Sequence, residues 1–378
     1  MSRRKRESNL GTLLTGMFIG AGFILLQDRF KRRNPELALG HMRIKRALDR
    51  TLLAARKQGV IPLSPGHRYI IFSDHHKGSR DRADDFWQCE GTYLAALDHY
   101  YERGYSLVIL GDAEELWKET AQNVIEAYAN VLHSEARFHP QRYIRICGNH
   151  DNLWEDSQKV SQYLDPFFPE INVRRGMVLQ FNDDRGVGGE IFLVHGHQGT
   201  LDADLLDFLP PIILPYSRHI QSLTNLGRAT PSQDDNLRAE HDTKMYRWAS
   251  NRRKLIFIAG HTHRPVWSST TQVEKLTWQL HSLLVMEAED RPQDYEARVA
   301  RLIGEIELHQ GDQSFVADTI KTKPCYFNTG CCRFSDGSIT GIELESDAIR
   351  LIKWDQQVGE NRRTLLDQAS LSVIFTVL

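Results

Sequence analysis

Several short apolar runs in this chain end in glycine or in side chains that bind metals, and this repeated pattern restricts the fold more than any other feature. Each run has the length and the β-branched or aromatic content of a buried strand. The runs are RYIIFSDHH (68–76), SLVILGDAEELW (106–117), RYIRICGNHD (142–151), EIFLVHGHQG (190–199), KLIFIAGHTH (254–263) and, without such ligands, PCYFNTGCC (324–332). Amphipathic stretches at 83–103 and 120–138 separate the first three runs. Strands that alternate with helices predict a layered α/β fold with polar side chains gathered at the carboxyl ends of its strands.

The composition is that of an ordinary globular protein and adds few restrictions. The 378 residues carry a net charge of −2, so no overall electrostatic field points to nucleic acid as a partner. The number of cysteines is odd and they form no C-x-x-C pair, which favours reduced thiols over a disulfide framework. They are Cys89, Cys147, Cys325, Cys331 and Cys332.

The N-terminal residues 1–33 combine basic clusters with an uncharged apolar segment. Residues 10–26, LGTLLTGMFIGAGFILL, number 17, close to the shortest helix that spans a bilayer. We interpret the segment as a membrane anchor; the alternatives are a signal peptide, for which no small-residue cleavage site follows, and a buried N-terminal helix. Four basic residues precede the segment and seven follow it closely, which favours a catalytic part on the cytoplasmic side.

The next stretch, 34–59, has the pattern of a basic helix. We expect Leu37, Met42, Leu48, Leu52 and Leu53 to face inward. The basic face of this helix is equally compatible with contact to anionic lipid and with simple solvation.

Alternation along a strand predicts which of the polar side chains meet. Residues i and i+2 share a face, so Asp74 and His76 point to one side and His75 points elsewhere. His261 and His263 repeat the same spacing. A carboxylate and an imidazole that converge at a strand end form half of a metal site.

In their order along the chain, these motifs resemble those of the calcineurin-like metallophosphoesterases. The likeness covers residues 66–270 and the strand near 324–355. It implies a two-sheet α/β sandwich with helical inserts and two divalent metal ions at the strand ends. Carried over by motif, one ion takes Asp74, His76, Asp112 and His263, and the other takes Asp112, Asn149, His195 and His261, with Asp112 bridging.

The ligand set also indicates the metal and the reaction. Imidazole, carboxylate and amide ligands together favour Mn, and they also suit Fe, Zn or Co. Two such ions ~3.5–4 Å apart hold a water that loses its proton near neutral pH and attacks phosphorus. We therefore expect a metal-dependent hydrolase of a phosphate ester or a pyrophosphate.

His150 and Asp151 are the candidate catalytic residues. The family resemblance implies that His150 contacts the phosphate and protonates the leaving oxygen. Asp151 either orients His150 or caps the helix that follows. His197 shares a face with His195, and the alternative assignment makes His197 the metal ligand in place of His195. Asn328 and Thr329 are expected to be structural.

The run Asp74-His75-His76 also matches the phosphoesterase family that is named after its Asp-His-His triad. Members of that family carry carboxylate motifs before the triad, and no such motif precedes it here. The later GNHD and GHTH motifs fit only the calcineurin-like pattern. We therefore interpret this second match as a coincidence.

The substrate is indicated less specifically than the reaction. GDAEELW (111–117) resembles the GDxFExW segment of UDP-diacylglucosamine pyrophosphohydrolases, which act on a lipid-linked substrate at the membrane. The run FLPPIILPY (208–216) either lines a lipid-facing cap or packs into the core. His150 departs from that family, which commonly has Arg at this position. The expected partner is a phosphate-containing small molecule or lipid, and the alternative from another class is a non-catalytic scaffold of the same fold.

The domain organisation follows from these motifs. We expect an N-terminal segment at 1–33, a basic helix or linker at 34–65, a metallophosphoesterase domain at 66–355 with inserts at about 200–250 and 270–320, and a C-terminal tail at 356–378.

Overall fold

The computed structural model describes residues 35–64, 66–184, 186, 188–199, 235–267, 270–271, 280, 294–310 and 323–378. Two seven-stranded sheets form its centre. The first sheet has, in spatial order, β1 (Ile61–Leu63), β6 (Met177–Asn182), β7 (Gly188–Leu193), β8 (Leu255–Ala259), β11 (Tyr326–Thr329), β9 (Pro265–Trp267) and β10 (Thr270–Thr271). The second has β14 (Glu360–Ser370), β13 (Ala348–Gln357), β12 (Ile339–Glu345), β2 (Arg68–Phe72), β3 (Ser106–Leu110), β4 (Tyr143–Ile146) and β5 (Val173–Arg174).

Helices cover the outer faces of both sheets. The described helices are α1 (Pro35–Gln58), α2 (Phe86–Glu102), α3 (Ala121–Ala127), α4 (Ala129–Ala136), a 3-10 helix (Asn152–Glu155), α5 (Ser157–Tyr163), α6 (Asp235–Ser250), α7 (Tyr295–Gln310) and α8 (Leu371–Val377). Helices α2, α3 and α4 pack on the second sheet, and α1 and α6 pack on the first. This arrangement confirms the predicted two-sheet α/β sandwich.

The central strands are apolar on both faces because each sheet is buried on both sides. In β3, Val108 and Leu110 point toward the other sheet, whereas Leu107 and Ile109 point toward the helices. Strands β2, β3, β4 and β5 pair in parallel, and β7 pairs in parallel with β8, which pairs in parallel with β11. Parallel pairing brings the carboxyl ends of these strands, and the motifs that follow them, to one edge of the sandwich.

Two terminal regions lie inside the domain, contrary to the predicted boundaries. Residues 356–378 were expected to be a tail, but β14 pairs with β13 along its length and α8 buries Leu371 and Phe375 among the residues between the sheets. The segment 34–65 was expected to be a basic helix or linker; it contains helix α1, and β1 within it pairs in parallel with β6. Both regions are integrated because they supply apolar side chains that the sandwich core needs.

Helix α1 also has a different orientation from the predicted one. Leu48 and Leu52 are buried as expected, together with Ile44 and Ala55. Met42 and Leu53, which were predicted to face inward, are 47% and 53% exposed. The reason is helical phase: both residues lie on the face opposite to the buried stripe. The side chain of Leu37 is outside the described residues.

Two predicted segments cannot be compared with the structure. Residues 1–33 and the apolar run 208–216 lie outside the described residues. Among the described helices, none is both long and apolar enough to cross a bilayer.

Candidate metal centre

The loops that follow five strands bring the predicted ligands to one place. The strands are β2, β3, β4, β7 and β8, and the ligand side chains are those of Asp74, His76, Asp112, Asn149, His195, His261 and His263. Within this set, Asp74, His76 and His263 form one group of ligand atoms that all lie within 4.8 Å of one another, and Asp112, His195 and His261 form a second. Each of these two groups consists of residues that the resemblance assigned to a single ion.

The predicted meeting of Asp74 with His76 occurs, but strand alternation is not its cause. Strand β2 ends at Phe72, before either residue. Asp74 and His76 have φ values of 53° and 51°, in the left-handed region that residues other than glycine rarely adopt. His261 and His263 show the same backbone, with φ values of 70° and 56°. Alternate left-handed residues therefore turn the two side chains of each pair into the site.

Hydrogen bonds between loops hold this uncommon backbone. The amide of Asp74 donates to the carbonyl of Gly111 over 3.1 Å, and the amide of His76 donates to the carbonyl of Asp112 over 2.9 Å. Asp112 itself has a φ of 50°. The loops after β2 and β3 thus continue the parallel pairing of their strands as far as the ligands, and this pairing fixes where the ligands point.

Each of the two aspartates uses one oxygen to fix its position and turns the other toward the histidines. Oδ2 of Asp74 accepts from the amide of His261 over 2.9 Å, and Oδ1 lies 3.2 Å from Nε2 of His263. Oδ1 of Asp112 accepts from the amide of His150 over 2.8 Å. Oδ2 of Asp112 lies 3.0 Å from Nε2 of His195 and 3.7 Å from Nε2 of His76. This oxygen reaches both groups of ligands, as a bridging carboxylate must.

The residues fit a pair of metal ions. Four buried atoms here have no hydrogen-bond partner among the described residues: Asp74 Oδ1, Asn149 Oδ1, His195 Nε2 and His261 Nε2. Buried acceptors without partners are costly unless a cation satisfies them. Nδ1 of His195 donates to the carbonyl of Leu110 over 2.9 Å, which leaves Nε2 as the nitrogen that a metal ion could take.

Two motif glycines leave the space that the aspartates occupy. A Cβ atom on Gly148 would overlap Oδ1 of Asp112, and one on Gly260 would overlap Oδ2 of Asp74. The GNHD and GHTH motifs therefore begin with glycine because the carboxylates lie directly against the backbone there.

The charge state of the site follows from its burial and its internal pairs. Burial alone would raise the pKa of Asp112, but His195 and His150 beside it hold that pKa well below the usual carboxyl value. Burial lowers the pKa of His261 well below the ordinary histidine value, and neighbouring His241 and His195 lower it further. An ionised bridging carboxylate and a neutral imidazole are the forms that bind a cation.

His150 is held on two sides. Its Nδ1 lies 2.8 Å from Oε1 of Glu115, and its ring stacks on the indole of Trp117 with the ring centres 3.9 Å apart. The second oxygen of Glu115 lies 3.2 Å from Nδ1 of His76. His150 also forms a third group of possible ligand atoms with His76 and Asp112, so it lies at the edge of the metal site.

Asp151 has different partners from those predicted. Its carboxylate accepts from the amide of Ala113 over 2.9 Å and from the amide of Gly148 over 2.6 Å. It makes no side-chain cap on the 3-10 helix that follows, and the contact to His150 that was predicted for it is made by Glu115. Asp151 thus ties the loops after β3 and β4 together, and its role is to position them.

The two neighbouring histidines behave differently from the ligands. His75 points away from the site, as predicted, and its buried ring packs edge-on against Tyr93 and Phe86 with centres 4.7 and 5.7 Å apart. His197 lies next to His195, with ring centres 5.4 Å apart. The groups of possible ligand atoms among the described residues include His195 and not His197, which favours the original assignment.

Sequence reasoning missed the residues that support the ligand loops from behind. Nε2 of His241, from α6, donates to the carbonyl of Gly196 over 2.8 Å. Asp242 accepts from Thr262 over 3.1 Å and from Tyr326 over 2.7 Å. Asn328, predicted to be structural, donates to the carbonyl of Gly260 over 2.6 Å. The low hydropathy of α6 gave no signal for these roles. Glu115 and Trp117 were missed as well, although their place in the GDxFExW-like segment could have indicated them.

A buried ionic network lies under the loops after β2 and β3. Lys77 Nζ lies 3.3 Å from Glu114 Oε1 and 3.1 Å from Glu135 Oε1, and all three side chains are fully buried. Arg145 pairs with the other oxygen of Glu114, which also accepts from Trp154 over 2.8 Å. Lys77 comes directly after the ligand His76, and Glu114 comes two residues after the ligand Asp112. The buried ion pairs therefore fix both ligand loops to the second sheet.

The chain has similarities to known proteins. A family model described as calcineurin-like phosphoesterase matches residues 67–284. None of the curated proteins matches the chain. Similar solved structures include vacuolar protein sorting 29 from Cryptosporidium parvum (11% identity, TM-score 0.32, covering 81% of this chain and 100% of that one). They also include a Vps29 single mutant from Entamoeba histolytica (10%, 0.28, 79% and 99%) and a dimetal phosphatase from Danio rerio (10%, 0.34, 80% and 100%).

Proposed function

The chain belongs to the calcineurin-like phosphoesterase family, and we propose that it is a dinuclear metal-dependent hydrolase of a phosphate ester or a pyrophosphate. The observation that carries this proposal is the position of Asp112. One of its oxygens is fixed by the amide of His150, and the other faces His195 and His76, one from each group of ligands. Divalent ions bound by these residues would activate water and stabilise charge on the phosphoryl oxygens.

The protein's own contribution to bond cleavage is the placement of His150. Glu115 engages Nδ1 of His150, so Nε2 is the nitrogen left for the substrate. Trp117 stacks on one face of the imidazole and supports this orientation. A protonated Nε2 can then donate to the leaving oxygen as the ester bond breaks, which is general acid catalysis.

A scaffold of the same fold would not need these features. Partner binding requires no buried acceptors that lack hydrogen bonds, yet Asp74 Oδ1, Asn149 Oδ1 and His261 Nε2 lack them among the described residues. Such atoms destabilise a protein unless an ion binds them. The site therefore favours a hydrolase over a non-catalytic scaffold.

Within the hydrolases, we propose Mn as the metal and a UDP-diacylglucosamine-type lipid pyrophosphate as the first substrate to test. The ligand chemistry supports Mn, although Fe, Zn and Co suit the same donors. The lipid substrate is supported by Glu115 and Trp117, which occupy the positions of the GDxFExW-like segment and both contact His150. His150 itself, where those enzymes commonly have Arg, argues for a broader phosphodiesterase.

The experiment is a metal-reconstitution assay with four substrates. The purified chain is stripped with chelator, reloaded with Mn, Fe, Zn or Co, and given an aryl phosphate, a bis-aryl phosphate, a UDP-linked lipid and single-stranded DNA. We expect hydrolysis to return with metal and to be absent in the stripped protein. Binding of metal without hydrolysis of any of the four would overturn the proposal. Hydrolysis of the bis-aryl phosphate alone would keep the phosphoesterase and reject the lipid substrate.

The apolar segment 10–26 adds a proposal about location. It lies outside the described residues, and its sequence supports attachment to a membrane with the catalytic domain on the cytoplasmic side.

A further inference from the structure

The outward face of helix α1 combines cations with exposed apolar side chains. With ~100° of rotation per residue, six residues fall within one sector of ~100° on this helix. They are, in angular order, Met42, Leu53, Arg46, Lys57, Arg50 and Arg43, and we name them the basic stripe. All six are exposed.

The basic stripe lies opposite the face that holds the helix on the domain. The buried residues Ile44, Leu48, Leu52 and Ala55 pack against Val178 and Phe192 of the first sheet. The stripe is therefore turned away from the domain core. Because α1 is anchored along its length by its other face, the stripe is a preformed surface.

Three of the four cations of the stripe, Arg46, Arg50 and Lys57, have no ion pair with an acidic residue of the described chain. Asp49 is the one acidic residue in 42–58, and it is paired with Lys45 over 2.8 Å and with Arg252 of the turn after α6. Arg46, Arg50 and Lys57 thus face solvent beside two large apolar side chains, Met42 and Leu53.

We propose that the basic stripe of α1 docks on an anionic lipid surface. Cations that ring exposed apolar side chains are the pattern of a helix that lies in the membrane interface, where the apolar groups enter the acyl boundary and the cations contact headgroups. A nucleic acid would engage the cations and leave Met42 and Leu53 in water. The residues preceding α1 include the uncharged segment 10–26, and the anchor proposed for that segment would bring the helix to a membrane.

The docked helix would lie beside the candidate metal centre. Gly199, at the end of the loop that carries His195, packs so closely on α1 that a Cβ atom there would overlap the backbone of Ile44. Helix α1, which carries the stripe on its outer face, is therefore in direct contact with this ligand loop. Docking would hold the metal centre close to the bilayer surface whatever substrate it hydrolyses, so the proposal stands apart from the proposed reaction.

The test places an environment-sensitive fluorophore on the stripe of the full-length chain. All five native cysteines are buried, so Leu53→Cys provides a site for selective labelling. Val358→Cys, in the exposed turn between β13 and β14, provides the control on another surface. With vesicles that contain phosphatidylglycerol, we expect a blue shift for the probe at position 53 and none at position 358. With phosphatidylcholine vesicles or at high salt, we expect the shift at 53 to be lost.

A charge variant separates the stripe from the N-terminal segment. In Arg46→Gln/Arg50→Gln/Lys57→Gln, we expect the chain to remain bound to vesicles through residues 10–26, while the probe at 53 returns to an aqueous spectrum. Each basic residue near an anionic surface contributes about fivefold to binding, so three substitutions weaken docking of the helix on the order of 100-fold. The matched control Arg82→Gln/Lys159→Gln/Arg362→Gln removes equal charge elsewhere and should leave the shift intact.

Three results would overturn the docking proposal. The first is an equal spectrum for the probes at 53 and 358 on anionic vesicles, and the second is an equal loss of the blue shift in both triple variants. The third is a blue shift of the probe at 53 in the absence of vesicles that grows with protein concentration or with added duplex DNA. The last would assign the stripe to self-association or to nucleic acid.

Discussion

Oε1 of Glu115 lies 2.8 Å from Nδ1 of His150, so the residue that orients the candidate acid comes from the loop after β3 and not from the adjacent Asp151. The same carboxylate contacts Nδ1 of the metal ligand His76 over 3.2 Å. One side chain thus fixes a ligand and the acid with respect to each other. This relationship makes Glu115 a positioning residue whose role can be separated from that of His150.

Replacing Glu115 by Gln keeps the size of the side chain and removes its charge. We expect kcat to fall ~10–100-fold with little change in KM, since the acid loses its alignment and not its substrate contacts. The loss should be greater for phenyl phosphate than for p-nitrophenyl phosphate, because a poor leaving group depends more on protonation. An equal loss for both substrates would mean that Glu115 acts only through the stability of the site.

His150→Ala and Asp112→Asn distinguish the acid from the bridging ligand. Each should remove most hydrolysis of an aryl or bis-aryl phosphate, by ~10²–10⁴-fold for His150 as a general acid. His150→Ala should retain both metal ions, whereas Asp112→Asn should lose metal, as measured by elemental analysis of the purified proteins. Equal loss of metal in both variants would place His150 among the ligands.

Gly148→Ala tests the close contact between backbone and carboxylate. The added Cβ would overlap Oδ1 of Asp112, so we expect lower metal content and a loss of activity. Gly304→Ala in α7 is the control, because no atom lies within 4 Å of its Cβ. That substitution in a helix should raise stability by ~0.5–1 kcal/mol. A Gly148→Ala enzyme with full metal and activity would show that the loop can move aside.

Lys77→Met tests the buried network beneath the loops. The substitution leaves Glu114 and Glu135 without their shared cation, so we expect a loss of ~3 kcal/mol in the free energy of unfolding. Arg137→Met breaks an exposed pair with Asp98 and should cost at most ~1 kcal/mol. Denaturant unfolding of the two variants provides the measurement. Similar unfolding midpoints for Lys77→Met and Arg137→Met would show that the buried network does not stabilise the fold more than an exposed ion pair does.

Deleting residues 1–33 tests the predicted anchor. The fractionation uses membranes with little phosphatidylglycerol at high salt, because the basic stripe contributes little to binding under these conditions. We expect the full chain in the membrane fraction and the shortened chain in the soluble fraction. Its hydrolytic activity should equal that of the full chain, because the metal ligands lie between 74 and 263. Identical fractionation of both chains under these conditions would disprove the anchor.

The ligand loops can be recognised from the sequence because each motif is local. Glycine, carboxylate or amide residues, and histidines directly follow the apolar strands. Parallel strands bring their carboxyl ends, and therefore these residues, to one edge of the sheet. Asp74, Asp112, Asn149 and His261 could be named on that basis. The reason first given for the pairing of Asp74 with His76 was wrong, since strand alternation does not extend past Phe72 and left-handed backbone takes its place.

The sequence by itself determined the two-sheet architecture and the chemical types of the metal ligands, because both depend on short patterns of apolar and polar residues. Only the tertiary structure decided which carboxylate orients His150, that α8 fills the space between the sheets, and that Met42 and Leu53 face outward. These features depend on contacts between segments far apart in the chain. Packing decides which of two similar carboxylates, or which of two apolar helix faces, makes such a contact. A local sequence pattern does not predict this choice.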